Sequence, residues 1–342
     1  MSRRPLAVDD ATLKDTGERE GLAPRHGVPH PAPVAPPLSI VVVAYDMARE
    51  LPRTLRSLLS DYQRGVEPAN YEIVVVDNGS PEPVEDVLPA RMSEAVRLVR
   101  IDPAPASPAR AANAGIDEAR GELVGLIVDG ARMASPGLLA HALLARRLSS
   151  RPVVASPGYH LGSVRHMDAA VSGYDQAAED RLLAEIDWEL DGYRLFARSI
   201  LANSSGRGWF GPMGESSALF LPAALWDELG GLDEAFALPG GGLVNHDLYR
   251  RACSLPDVDL VVLVGEGTFH QFHGGASTGG SVEWDEMQSD YESHRGERYR
   301  PPTRDPIYLG GVPSAALGHL AESVRLAQVR AERDADGRQR RA

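Results

Sequence analysis

The stretch Leu123 to Arg132 (LVGLIVDGAR) constrains this chain more than any other. Leu123 to Val128 is a short apolar run, punctuated at its start by Gly121-Glu122 and ended abruptly by Asp129-Gly130. A strand buried on both faces of a parallel sheet reads this way, because neither face needs polar residues. An acid just past the end of such a strand lies at the carboxyl edge, where open α/β sheets bind their ligands. Asp129 is therefore the first candidate site residue.

The chain before it repeats the pattern. SIVVVAY (Ser39 to Tyr45) predicts a buried strand, and Leu51, Leu55, Leu58, Leu59 and Tyr62 form one apolar helical stripe with Pro52 in the first turn. YEIVVVDNGS (Tyr71 to Ser80) is a second strand closed by a strong turn signal. A short helix is expected within Pro81 to Ala95 and a third strand over Val96 to Ile101. Ser107-Pro108 then caps a helix over Ala109 to Arg120. Strand-helix alternation at this spacing implies right-handed βαβ units, an α/β fold with a mostly parallel central sheet flanked by helices.

Beyond Pro136 the expected elements are a helix (Leu138 to Leu148), a strand (Val153 to Ala155) and a charged helical segment from about Gln176 to Arg198. A strand (Ser217 to Leu221) and a short helix (Ala223 to Leu229) follow. A triple-glycine loop leads into Asn245-His246-Asp247 at the head of another helix. Leu260 to Val264 is a strand whose exit carries His270 and His273 in a Gly-rich loop. Residues 1–37 are polar, Pro-rich and aperiodic, which predicts a disordered N-terminal arm. Residues 281–342 read as a C-terminal extension with a helix. Its Leu317, Leu320, Val324 and Ala327 would serve a homodimer or pack back on their own domain.

Composition removes several classes of function. A net charge of −13 speaks against a nucleic-acid partner, which needs a cationic face. Lys14 is the only lysine, so the expected folded body has neither a phosphate-loop lysine nor a Schiff-base lysine. One cysteine, Cys253, excludes an internal disulfide framework. No apolar run is long enough for a transmembrane span, and no secretory signal is evident, so a cytoplasmic protein is expected.

In order, the blocks SIVVVAYDMARELPRTLRSLL, YEIVVVDNGS, ARAANAGIDEARGELVGLIVDG, ELGGLDEAF and NHDLYRRA resemble family 2 glycosyltransferases of the GT-A (Rossmann-like) fold. The resemblance covers roughly Leu38 to Gly275. It implies a GT-A domain over residues 38–280, with a donor half (38–132) and an acceptor-side α/β extension (133–280). It also implies an inverting enzyme that moves a sugar from a UDP- or dTDP-type donor to a hydroxyl acceptor, in polysaccharide or glycosylated-metabolite synthesis.

On that reading Asp77 meets the nucleobase, Tyr45 stacks on it and Asp129 holds the ribose, with Ala44, Asn113, Gly130 and Arg132 completing the donor site. Asp247 is the expected general base, helped by His246, with Glu215 in reserve. Three positions depart from the family pattern. Asp129-Gly130-Ala131 lacks the second acid of Asp-X-Asp, Ala112 replaces the arginine before Asn113, and His246-Asp247 replaces Glu-Asp. Mn²⁺ or Mg²⁺ on Asp129, His270 and His273 would make good the lost ligand; an arginine such as Arg132 would instead supply the charge directly. Trp209, Phe210 and Trp226 are candidates for an acceptor platform. Two other functions stay open: a nucleotide-sugar-binding protein without turnover, and a sugar nucleotidyltransferase.

Overall fold

Seven apolar residues in a row, Leu38–Ala44, build β1, and every one of them is buried. Alternation along the strand explains why. Val41 and Val43 enter one core, while Ile40, Val42 and Ala44 enter a second core on the opposite face. In a computed structural model of the protein, residues 35–168, 172–273 and 283–339 are described. The expected disordered arm falls almost wholly outside them, as does most of the Gly-rich loop after His273.

The strands are β1, β2 (Tyr71–Asp77), β3 (Arg97–Arg100), β4 (Leu123–Ile127), β5 (Arg132–Ala134), β6 (Pro152–Ala155), β7 (Gly158–Leu161), β8 (Ser199–Leu201), β9 (Leu219–Pro222), β10 (Asp259–Val264), β11 (Thr268–His270) and β12 (Ile307–Gly310). The helices are α1 (Leu51–Leu58), α2 (Val84–Val87), α3 (Ala90–Ala95), α4 (Ala109–Glu118), α5 (Leu138–Leu148), α6 (Gln176–Glu185), α7 (Ala223–Leu229), α8 (Val244–Ser254), α9 (Trp284–Arg295) and α10 (Leu317–Gln339).

The central sheet has eight strands in the order β12-β10-β6-β9-β4-β1-β2-β3. Only β9 runs antiparallel to its neighbours. The α4 helix lies close on this sheet because Gly115 has no side chain. A Cβ there would stand 2.4 Å from Val41 Cγ1 and 2.7 Å from Val76 Cγ2. The expected mostly parallel sheet flanked by helices is what the chain forms. No helix among the described residues is long and apolar enough to cross a membrane.

A second sheet, β5-β11-β7-β8, stands beside the carboxyl end of the first. Its strands have three or four residues each, and a third core of Tyr159, Phe196, Trp209 and Phe269 packs against them. Tyr159 and Phe269 stack at 5.3 Å, with Phe196 edge-on to both.

Two expectations need correction. The charged helix from Gln176 does not reach Arg198. It ends at Glu185, Asp187 turns the chain at φ +45°, and a 3-10 segment (Gly192–Arg198) follows. Residues 281–342 are not appended to a finished domain. β12 extends the central sheet beside β10, and Tyr291 and Tyr299 lie in its largest core. The C-terminal helix packs inward. Ser323 is fully buried and its hydroxyl accepts the Trp209 backbone N–H at 3.0 Å, and His319 lies edge-on to Tyr159. Leu317 and Val324, two members of the supposed stripe, face outward instead.

Candidate functional site

The site is built where the two sheets meet. Two residues beyond β4 the Asp129 loop turns, with Ala131 N–H donating to Asp129 Oδ1 at 3.0 Å. Gly130 lets this loop rest on the end of β1. A Cβ there would meet Ala44 Cβ at 3.0 Å and Val43 O at 3.2 Å. β5 then pairs antiparallel with β11, setting Arg132 opposite His270. Gln271 N–H reaches Ala131 O at 2.8 Å.

This pairing carries two histidines to the acid. His270 Nε2 lies 2.7 Å and His273 Nε2 3.5 Å from Asp129 Oδ2, and the two ring nitrogens are 3.1 Å apart. Burial alone would raise the Asp129 carboxyl, but the two imidazoles outweigh it and hold it well below the usual carboxylate range. At His270 burial prevails over Asp129 and lowers the pKa to about 4. At His273 burial also opposes the charged ring, yet Asp129 wins and raises it. Arg132 Nε stands farther off, 3.8 Å from Asp129.

One carboxylate oxygen and two imidazole nitrogens within 4.8 Å of one another are a donor set that suits Mn²⁺ or a similar cation. Ala131, where the second acid was expected, is fully buried. An aspartate at that position would itself need a partner in the core. A cavity of about 590 Å³ opens beside His273, lined by Arg49, Gln176 and Asp180 among others.

A further pair of rings backs the site. β7 runs parallel to β11 and sets His160 opposite His270. His160 Nδ1 accepts the backbone N–H of His166 at 2.9 Å, and the two rings stack at 4.4 Å. Burial pushes these rings down to about 2 and about 3, so both are neutral at pH 7. Neither was singled out from the sequence. They come from one short strand and its loop, and nothing local marks that segment as neighbouring Asp129.

Other expected site residues are placed differently. Asp77, expected on the nucleobase, is buried and occupied. It accepts Ser80 N–H at 2.8 Å and Val84 N–H at 3.2 Å, and pairs with Arg100. The next residue, Asn78, is the one with capacity to spare: its amide donates to Pro105 O, while its buried Oδ1 has no partner. Tyr45, 48% exposed, is free to cover a ring at this edge.

Asn113 does not face Asp129. It holds the Gly231 turn by accepting Leu232 N–H at 2.8 Å and donating to Leu232 O at 3.0 Å, beside a separate cavity of about 640 Å³. Trp209 and Trp226 form no platform either. Both are buried, donating to Tyr159 Oη and Val124 O respectively.

Asp247 contradicts the general-base expectation most directly. Its side chain is 1% exposed, and both oxygens are taken. Arg251 Nε donates to Oδ2 at 2.7 Å, and Arg295 donates to Oδ1 at 2.6 Å and to Oδ2 at 2.8 Å. With three of its roughly four acceptor sites filled and the group enclosed, the carboxylate is not presented to a substrate.

Its neighbour His246 turns the other way. His246 Nδ1 lies 3.6 Å from Glu215 Oε2, and the ring stands edge-on to Tyr299 at 5.0 Å. Burial lowers the His246 pKa against the pull of Glu215. The register pairing Leu126 with Leu219 carries Asp129 and Glu215 out of the same sheet edge on adjacent strands.

Residues 39–130 match the family model described as Glycosyl transferase family 2. The matched segment is about a quarter of the chain. It runs from β1 to the Asp129 loop and so takes in β2 and β4. A Sinorhizobium fredii (strain NBRC 101917 / NGR234) protein, y4gI, is 28% identical over 208 residues, covering 58% of this chain and 21% of its own length. The chain thus spans about a fifth of that relative. Among solved structures, S. aureus TarS is similar with 10% identity and a TM-score of 0.47, over 75% of this chain and 42% of TarS. TarS 1-349 in complex with UDP-GlcNAc gives 13% identity and a TM-score of 0.48, over 73% and 64%.

Proposed function

We propose that this chain is an inverting glycosyl transferase that moves a sugar from a UDP- or dTDP-type donor to a hydroxyl acceptor. The observation that carries the reading is the Asp129–His270–His273 cluster at the carboxyl edge of β4. Asp129, His270 and His273 would hold a divalent cation, which would supply positive charge for the departing diphosphate. Tyr45, exposed at this edge, covers the face of the base. Because Asp247 is closed off, the acceptor's proton goes to the His246–Glu215 pair, where the carboxylate supports the charge that develops on the ring.

Isothermal titration with UDP, dTDP and GDP, each with and without Mn²⁺, tests the donor half. Tight binding of UDP or dTDP only with the cation is expected, and loss of that dependence in Asp129→Asn. Equal binding with and without Mn²⁺ would sink the cation reading. For the base, Glu215→Gln should lose about 100- to 10,000-fold in kcat while donor affinity holds. A second reading, donor binding without turnover, is favoured by the enclosure of Asp247. It predicts saturable nucleotide binding with neither transfer nor donor hydrolysis at any Mn²⁺ concentration.

A further inference from the structure

Behind the cation ligands, two buried ring nitrogens have no hydrogen-bond partner: Nδ1 of His270 and Nδ1 of His166. Their other nitrogens are engaged. His270 Nε2 faces Asp129, and His166 Nε2 lies 3.1 Å from Leu161 O, which fixes its proton on Nε2 and leaves a bare lone pair on Nδ1. One ring nitrogen from each of His160, His166 and His270 lies within 4.8 Å of the others. This looks at first like a second, three-histidine cation seat.

Counting lone pairs argues against that. His160 Nδ1 already accepts the His166 backbone N–H, so the His160 proton is on Nε2 and no lone pair is left for a cation. The trio has a different use. Without a cation, His270 carries its proton on Nε2, donating to Asp129, and its Nδ1 is bare, on a ring whose centroid lies 5.2 Å from that of His166. Two lone pairs are then buried with no proton to share. When a cation occupies His270 Nε2, a neutral ring must carry its proton on Nδ1 instead. The unused lone pair of His166, on the ring 5.2 Å away, is the acceptor at hand, and a small tilt of the rings would satisfy both orphaned nitrogens together.

We infer that His166 is a positioning residue that holds His270 in its Nδ1–H tautomer, so that Nε2 is presented to a divalent cation beside Asp129. This rests on the reading of Asp129, His270 and His273 as a cation seat. Ligating histidines generally donate their second N–H to a fixed acceptor, and removing that acceptor typically weakens metal binding about 10- to 100-fold. The stacking of His166 on His160 and its edge contact with Phe272 at 5.5 Å keep the acceptor in place.

The test is a calorimetric titration of the full chain with Mn²⁺ alone, in the parent protein, His166→Phe and His166→Asn. Phenylalanine keeps a ring to stack on His160 but has no lone pair. Asparagine keeps an acceptor near the Nδ1 position. The expected result is a Kd raised about 10- to 100-fold in His166→Phe and within about threefold of the parent in His166→Asn. A readout on the unmutated protein needs no variant to fold. Long-range ¹⁵N–¹H spectra should place the His270 proton on Nε2 without a cation and on Nδ1 after loading with diamagnetic Cd²⁺. Parent-like Mn²⁺ affinity in a folded His166→Phe, or a His270 proton still on Nε2 after loading, overturns the inference while leaving the cation seat standing. No Mn²⁺ binding by the parent protein overturns both.

Discussion

Asp247 stands at the head of α8 with Arg251 one turn on, and Arg295 reaches it from α9. Arg295 also binds Asp233, and Arg251 caps the carbonyls of Leu229 and Gly231, so the carboxylate ties three segments together. Removing one partner of a buried pair leaves the others uncompensated, at a cost of about 3 to 5 kcal/mol. Asp247→Asn should therefore lose stability of that order in urea denaturation. The kcat of its folded fraction should stay within about tenfold of the parent, well short of the loss expected of a general base. A larger kcat loss with unchanged stability would return the proton to Asp247. The sequence held this outcome, since acid and arginine four apart on a helix are an ion-pair spacing. The same Asp also followed a flexible loop at a helix start, and that pattern was read as catalytic. Asn78 was hidden for the converse reason: in Asp77-Asn78-Gly79 nothing local tells which side chain is used by the turn and which is left over.

Among the elements, the ones legible in sequence are those whose partners are adjacent in the chain. β1, β2 and β4 are long apolar runs separated by amphipathic helices, and their order follows from the βαβ rule. β5, β7, β8 and β11 are too short to show a period, and each is completed by a segment far away, as when β11 joins β5 more than 130 residues earlier. The proposed cation ligands at the exit of β11, His270 and His273, are visible as residue types, but the rings behind them are not. The α6 helix has a similar non-local task. Its Glu179, fully buried, accepts the N–H of Phe272 at 2.8 Å, next to His273, with Arg49 3.3 Å away. Burial raises the Glu179 carboxyl to about 7 against these partners. Between pH 4.5 and 7 the native state keeps a proton that the unfolded state has released, so this group's contribution falls as pH rises and is lost above 7. His160 and His166 act oppositely below 6.5, where only the unfolded state takes up their protons. Comparison with Glu179→Gln isolates the carboxyl. From pH 5 to 8 the parent should lose about 2 to 3 kcal/mol more stability in urea than the variant. Parallel pH profiles would show that Glu179 is charged throughout.

For the whole molecule, the question is where folding stops being complete. A division at residue 280 follows the sequence, because residues 281–310 are polar with scattered aromatics and carry no period. The aromatics turn out to be the signal. Tyr291 and Tyr299 are buried against each other at 5.3 Å in the core shared by β1, β2 and β4, and Tyr299 also meets His246. Arg304 donates to the carbonyls of Cys253, Leu255 and Val258, closing the end of α8, and β12 covers the edge of β10. Cutting the chain at residue 280 would open that sheet edge and remove Arg295 from Asp247. It would also uncover Trp209, whose N–H is held by Ser323. Loss of two buried tyrosines alone exceeds the roughly 3 to 5 kcal/mol of a single large aromatic deletion, against a total stability of about 5 to 15 kcal/mol for a native protein. Residues 35–280 produced alone should show no cooperative thermal transition by circular dichroism and no Mn²⁺ binding, whereas residues 35–339 should show both. A sharp transition for the shorter piece would mean that the core closes without α9, β12 and α10, and the donor site would then have to be regarded as independent of them.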